Sequence, residues 1–396
     1  MNAILLKPNR EKPLRSRRPW VFSGAIDGVS GNPMPGETVD IFSDKEEWLG
    51  RGALSPESQI TVRIWTFDQN ETVDEDFFMR RIRTCVAARQ SRWNPETCTA
   101  VRLIYGEGDG LPGLIVDRYA NVLVGQFLTA GAERWKREIV AALVAACPGC
   151  SVFDRSDSAS RKLEGLEQTT GSLHGEDPPE KILVTVGGLK FNVDVRKGHK
   201  TGMYLDQADT LRRIGPLAKD ADVLDAFCYT GGFTMACLKG GAKSVTSIDA
   251  SRDALDALAQ NMTLNELDAS RQVSECNDIF AALREYRDRR RTFDLIILDP
   301  PKFAETQGHV EKACRAYKDI NLLALKLLNP GGKLATFSCS GNVDSDTFQK
   351  VVAFAALDAG RFVRVIERYA QAPDHPVALA FPEGGYLKGM LCDVMP

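Results

Sequence analysis

The residues best suited to chemistry lie at the ends of apolar runs. Asp294-Leu-Ile-Ile-Leu-Asp299 is followed by Pro300 and Pro301, and Lys333-Leu-Ala-Thr-Phe337 leads into Ser338-Cys339-Ser340-Gly341. The two prolines disfavour helix at Asp299 and Pro300, so the carboxyl sits on a stiff turn and can hold a proton at one fixed place. A cysteine at a strand end among small polar residues can act as a nucleophile. In isolation a buried structural cysteine is the commoner case. If the two runs are adjacent strands of one sheet, Cys339 and Asp299 meet at the same edge.

Upstream, Val223-Leu-Asp225-Ala-Phe227-Cys-Tyr229-Thr230-Gly231-Gly232 and Val245-Thr-Ser-Ile-Asp249 read as strand, glycine loop, helix and strand. The apolar residues suit a parallel sheet buried on both faces. Gly231 and Gly232 let the backbone approach a ligand at the helix start. An acid about 20 residues on, at the end of the second strand, suits the two hydroxyls of a ribose. Asp225, Phe227, Tyr229, Thr230, Gly231, Asp249 and Asp299 are therefore candidate contacts of a nucleoside cofactor. The glycine pattern is not G-x-G-x-x-G, so a pyrophosphate-bearing nicotinamide cofactor is disfavoured. S-adenosylmethionine has no phosphate to cradle and tolerates this loop. Asp278 falls where a third strand ends, and two readings stay open: a contact to the adenine amino group, or a cap for the helix from Ile279.

The elements that must position these groups occupy only part of the chain. At 396 residues, two or three domains are expected, and 43% hydrophobic with 26% charged residues is ordinary for a globular protein. No apolar run approaches the ~20 residues of a membrane span, and no signal-peptide core opens the chain, so a cytoplasmic location is expected. Ten cysteines in this length do not make a disulfide framework. Cys147-Pro-Gly-Cys150 has no second C-x-x-C to complete a zinc site, and no metal is expected.

The net charge of −3 argues against indiscriminate coating of nucleic acid. A local basic arm remains: Lys7, Arg10, Lys12, Arg15, Arg17 and Arg18, which is either a solvated segment or a phosphate contact. Residues 1–73 read as a small β domain from short alternating runs and turn signals. Residues 74–185 read as an α+β unit, with a helix from Asp76 to Trp93 and a hairpin around Gly108–Gly113. Residues 186–396 hold the cofactor and chemical sites. Gly187-Gly188 marks a hairpin.

Resemblance to known families sharpens this. Arg18-Pro-Trp-Val-Phe-Ser-Gly-Ala-Ile26 followed by Gly36-Glu-Thr-Val39 resembles the N-terminal PUA domain of bacterial RNA methyltransferases. This small β-barrel fold binds RNA; Trp20 and Phe22 are expected in its core rather than on a base. Together with His199-Lys-Thr-Gly-Met-Tyr-Leu-Asp-Gln207, Tyr229-Thr-Gly-Gly-Phe233, Asp299-Pro-Pro-Lys-Phe303, Arg315-Ala-Tyr-Lys-Asp-Ile-Asn321, Phe337-Ser-Cys-Ser-Gly341, Asp374-His-Pro376 and Pro382-Glu-Gly-Gly-Tyr-Leu-Lys388, nearly the whole chain resembles the bacterial ribosomal RNA large subunit methyltransferase I family. The resemblance implies a PUA-like domain, a central α+β domain, and a class I (Rossmann-like) α/β methyltransferase domain with a mostly parallel seven-stranded sheet. It implies S-adenosylmethionine as cofactor, with Lys200, Thr201, Asp206 and Gln207 lining its pocket. It further implies 23S rRNA as partner through Lys7, Arg10, Arg15, Arg17, Arg18 and Lys302, and leaves a homodimer open.

The implied reaction is 5-methylcytosine formation, with Cys339 as nucleophile and Asp299 on the base. It makes chemical sense. Carbon 5 of cytosine is a poor nucleophile until a thiolate adds at carbon 6, and the base must leave its stack to be reached. The competing readings are a methyltransferase acting on a guanine nitrogen, which needs no thiol, and a non-catalytic RNA-binding assembly factor. His375 is expected in a loop or core rather than in the chemistry.

Overall fold

The computed structural model describes residues 2–304 and 307–395. Contacts divide the chain into two compact units that do not follow chain order. The first is Met1–Val184 with Val193–Leu205 and Pro373–Gly384; the second is Thr185–Asn192 with Asp206–Ala372 and Gly385–Pro396.

In the first unit, a six-stranded sheet takes the strands in the order Trp20–Phe22, Ile60–Thr66, Trp48–Leu54, Thr38–Phe42, Ala3–Leu6, Ile26–Ser30. Thr38–Phe42 alternates in burial as its sequence alternates in polarity. Trp48–Leu54 carries Gly50-Arg51-Gly52 and gives no strand signal. The structure explains the glycine: a Cβ at Gly52 would lie 2.3 Å from the Arg63 carbonyl oxygen of the neighbouring strand. The period of two also corrects the expectation for Phe22. Val21 points inward, leaving Phe22 51% exposed. Trp20 is half-buried against Phe381, and its indole N–H donates to Glu107 at 2.8 Å.

A five-stranded sheet follows, ordered Thr169–His174, Ser151–Ser156, Val122–Phe127, Leu114–Tyr119, Ala100–Tyr105. The helix Glu75–Arg89 is capped by Asp74, which accepts from the Phe77 N–H at 2.9 Å, and buries Phe77, Phe78, Ile82 and Cys85. The expected extension to Trp93 becomes a 3₁₀ turn, Gln90–Arg92. Cys147 and Cys150 are both buried in this core. Gly187 and Gly188 have φ of +61° and +78°, the double positive φ of a two-residue hairpin turn.

The second unit holds one seven-stranded sheet. In chain order its elements are β1 (Asp222–Ala226), α1 (Gly232–Lys239), β2 (Ser244–Asp249), α2 (Arg252–Leu264), β3 (Gln272–Cys276), α3 (Ile279–Asp288), β4 (Phe293–Leu298), α4 (Val310–Leu327), β5 (Leu328–Ser338), α5 (Ser345–Ala359), β6 (Val363–Ala370) and β7 (Lys388–Val394). The order across the sheet is β3-β2-β1-β4-β5-β7-β6. The pairs among β1 to β5 are parallel, whereas β7 runs antiparallel to β5 and to β6. β1 and β4 are buried runs of Val, Leu, Ile and Ala, and α3, α4 and α5 cover them through Leu283, Ile320, Leu323 and Val352. The order reverses between β1 and β4. Beyond the carboxyl ends of strands at such a reversal, a crevice opens where ligands bind.

Candidate functional site

Four strands deliver the candidate residues to that carboxyl edge. Asp225 is next to last in β1 and wholly buried. One of its oxygens accepts from the Thr234 hydroxyl at 2.6 Å; the other is buried with no protein partner. Burial pushes its carboxyl up to about 7. Past β1 the chain turns sharply, with left-handed φ at Phe227 (+66°), Tyr229 (+49°) and Gly231 (+87°). Two such non-glycine residues cost of order 1–3 kcal/mol each, and strain of this kind concentrates where a loop shapes a ligand site. The loop is tied down from β2. The Cys228 N–H donates to the Ile248 carbonyl at 3.0 Å, and the Tyr229 N–H donates to Asp249 at 2.9 Å. Asp249 also accepts from the Ser251 N–H at 2.9 Å. Gly231 is required twice over, because a Cβ there would also lie 2.0 Å from Leu258 Cδ1. The Asn261 amide holds the Thr230 carbonyl at 3.1 Å.

Asp299 follows β4 and faces Asp206 and Gln207, which precede the helix Ala208–Ile214. The Gln207 amide donates to Asp299 at 3.1 Å, and the Tyr386 hydroxyl donates to Asp206. Burial, with the neighbouring Asp206 carboxylate, pushes Asp299 up to about 7. Among the described residues, no lysine or arginine forms an ion pair with Asp206, Asp225 or Asp299. One oxygen each of Asp206 and Gln207 is also buried without a protein partner. A cluster of acids with open acceptors and no cation of its own is a receptor for a positively charged, hydrogen-bond-donating ligand. S-adenosylmethionine carries a sulfonium and an ammonium, so these residues fit it. Asp249 fits its ribose.

Cys339 follows β5, the parallel neighbour of β4, so Cys339 and Asp299 come to the same edge. The half-buried thiol points at the Pro300 carbonyl oxygen, 3.8 Å away. The turn that carries it is pinned from α4. The Ser338 hydroxyl donates to Tyr317 at 2.9 Å, the Tyr317 and Ser340 hydroxyls are 3.0 Å apart, and the Ala304 N–H donates to Ser340 at 3.2 Å.

Asp278 follows β3, whose carboxyl end lies beside that of β2. Asp278 is exposed and caps α3, accepting from the Ala281 N–H at 2.9 Å. Lys200 and Thr201 belong to the first unit. Lys200 is exposed, whereas Thr201 is wholly buried and donates to Asp117 at 2.5 Å, with the Tyr119 hydroxyl at 2.9 Å. Lys7, Arg10, Arg15, Arg17, Arg18 and Lys302 are all exposed. Arg15 pairs with Glu47, Arg18 with Glu383, and the Arg17 guanidinium lies 5.0 Å from the Phe67 ring centre. His375 is buried in the first unit, 2.9 Å from its neighbour Asp374. No cluster among the described residues has the makings of a metal site, and no described helix is long and apolar enough to cross a membrane.

Sequence reasoning missed Thr234, Tyr317, Tyr386 and Lys388. Thr234 and Tyr317 are helix residues, Lys388 opens a strand and Tyr386 lies in the loop before it, and each gains its role only through a distant partner. The usable signal was weak: Tyr386 and Lys388 fall in the quoted Pro382–Lys388 stretch.

Residues 4–67 match the PUA-like domain family, and residues 163–385 match the S-adenosylmethionine-dependent methyltransferase family. The chain is 51% identical over 393 residues to the ribosomal RNA large subunit methyltransferase I of Aliivibrio fischeri (strain MJ11), covering 99% of both chains. It is 52% identical over 392 residues to the protein of that name from Shewanella frigidimarina, again over 99% of both. Its fold is that of a solved chain from Streptococcus mutans described as a SAM-dependent methyltransferase, with a TM-score of 0.86 at 22% identity over 100% of both chains.

Proposed function

Because this chain belongs to the ribosomal RNA large subunit methyltransferase I family, whose methyltransferase region depends on S-adenosylmethionine, we propose that it methylates carbon 5 of a cytosine in 23S rRNA through a covalent adduct of Cys339. The observation that most supports this reading is the thiol at the end of β5, turned toward the Pro300 carbonyl on the Asp299 turn. Methylation of a ring or amino nitrogen needs no nucleophile at that place.

Cys339, as the thiolate, adds at carbon 6. The new S–C6 bond takes the sulfur electron pair, and the C5=C6 electrons shift toward N3 and make carbon 5 nucleophilic. Asp299, whose carboxyl is raised to about 7, is partly protonated at neutral pH and in that form gives its proton to N3. S-adenosylmethionine, when bound, supplies an electrophilic methyl group. Asp249 would hold its ribose, while Asp206, Gln207 and Asp225 would hold its cationic part beside the loop from Phe227 to Gly231. Loss of the carbon 5 proton then expels the Cys339 thiolate from carbon 6, and N3 returns its proton to Asp299. No cysteine stands on the Asp299 turn, so water or another base takes that proton.

On the same reading the PUA-like region and the arm carrying Lys7, Arg10, Arg15, Arg17 and Arg18 hold rRNA in the cytoplasm, and Lys302 meets it beside the site. Replacing Cys339→Ala is expected to leave S-adenosylhomocysteine binding intact by calorimetry. It is expected to cut label transfer from tritiated S-adenosylmethionine onto undermodified large subunits by about 10³-fold or more. Retained cytosine methylation would sink the adduct. Mass-spectrometric mapping of 23S rRNA from a deletion strain distinguishes a methylated carbon from a methylated nitrogen. No label transfer by the wild-type protein would favour an RNA-binding assembly role.

A further inference from the structure

Lys388 is the first residue of β7 and stands opposite Ser338 in the β5–β7 register. It is 8% exposed, and its amine donates to the Ser340 carbonyl at 2.6 Å. A lysine is seldom buried this far without a carboxylate partner in contact. Here the hydrogen-bond partner is the backbone beside Cys339. The charged and titratable groups acting on the amine are Cys339, the Asp344 cap of α5, and Lys302 of the proline turn. From α4, Tyr317 also faces Cys339. Burial lowers the ammonium to about 8, while Cys339 and Asp344 act to keep it charged.

We propose that Lys388 is a positioning residue of this site: its ammonium, held at the Ser340 carbonyl, keeps Cys339 as the thiolate. The inference rests on the cytosine reading only for its use in methyl transfer; the placement of the amine beside Cys339 stands on its hydrogen bond to the Ser340 carbonyl. The proton balance is simple. The thiol proton passes to the neutral Lys388 amine, giving thiolate and ammonium. The thiolate pair forms the S–C6 bond, and when that bond breaks the pair returns to sulfur beside the same ammonium. The pair is thus regenerated without a net proton change. A cation beside the thiolate both raises the fraction of active nucleophile and stabilises it as the leaving group. Lys302 is exposed, so its charge is better screened than that of Lys388.

The test is the rate of Cys339 alkylation by iodoacetamide against pH, read on its own peptide by mass spectrometry. In the wild type the midpoint is expected below ~8.5, the value of a free thiol; a midpoint at or above that value overturns the proposal without any variant. Lys388→Met is expected to slow Cys339 alkylation at pH 7 by about tenfold, one unit of midpoint shift. Lys388→Arg, which keeps the charge, is expected to recover much of it. Retained S-adenosylhomocysteine binding shows that the unit is folded. An unchanged profile in a folded Lys388→Met protein overturns the proposal. If the profile shifts but Cys339→Ala still methylates cytosine, the ion pair stands and the covalent reading falls.

Discussion

Both compact units bury carboxylates, and they treat them in opposite ways. In the first, Asp117 is wholly buried and receives two bonds from the Arg102 guanidinium at 2.8 and 2.7 Å, and Asp109 receives two from Arg89 at 2.8 and 2.6 Å. Thr201 adds a further donor to Asp117. In the second, Asp206 and Asp225 both act on Asp299, and an oxygen of each of Asp206 and Asp225 has no protein partner. Fork-on-carboxylate pairs satisfy both partners and hold a structure. Acids crowded without a cation destabilise the empty fold and bind what is missing. Perturbed carboxyls in a crevice mark the functional region; paired ones mark scaffolding.

The largest expected effect tests the scaffold side. Asp117→Ala strands the half-buried Arg102 charge and is expected to cost about 3 kcal/mol, read as a fall in denaturation midpoint. A loss below about 1 kcal/mol would erase the distinction between the units. On the other side, Asp299→Asn is expected to lower methyl transfer by about 10²-fold or more, while leaving stability equal or higher. A clear loss of stability in that variant would recast Asp299 as structural.

A smaller effect is pH dependence. Asp225 and Asp299 titrate near 7 when folded and near ~4 when unfolded. Their contribution to stability is full below about pH 4 and is lost as pH rises through 7. The thermal midpoint of the wild type should therefore fall between about pH 4 and 7, and Asp225→Asn should flatten that slope; an unchanged slope would place the two carboxyls in ordinary solvent. Smallest is Arg15→Ala. Its exposed pair with Glu47 is expected to contribute less than about 1 kcal/mol to stability. Binding to an rRNA fragment should nonetheless weaken and lose part of its salt dependence. Unchanged affinity at low salt would remove the arm from the RNA surface.

An α/β unit and the ends of its central strands were legible in the chain alone, while the count of seven strands came from the family resemblance. Buried runs such as Leu295–Leu298 have only one good environment, and Gly231, Pro300 and Pro301 limit their own backbones locally. Asp225, Asp249, Asp299 and Cys339 were legible for that reason: a strand end is a local property, and parallel neighbours share an edge. Local reasoning ran out at Phe22, where a three-residue strand left the inward face to Val21, and at the Trp48–Leu54 strand, whose glycines give no strand signal. Only the tertiary structure separated Asp117 from Asp225, since an isolated aspartate in a strand does not say whether an arginine will arrive. It also brought Lys388 back to the Ser340 carbonyl beside Cys339, across 48 positions in the chain. The charge state of a buried group is fixed by its neighbours in space, and those neighbours are chosen by the packing of the whole unit.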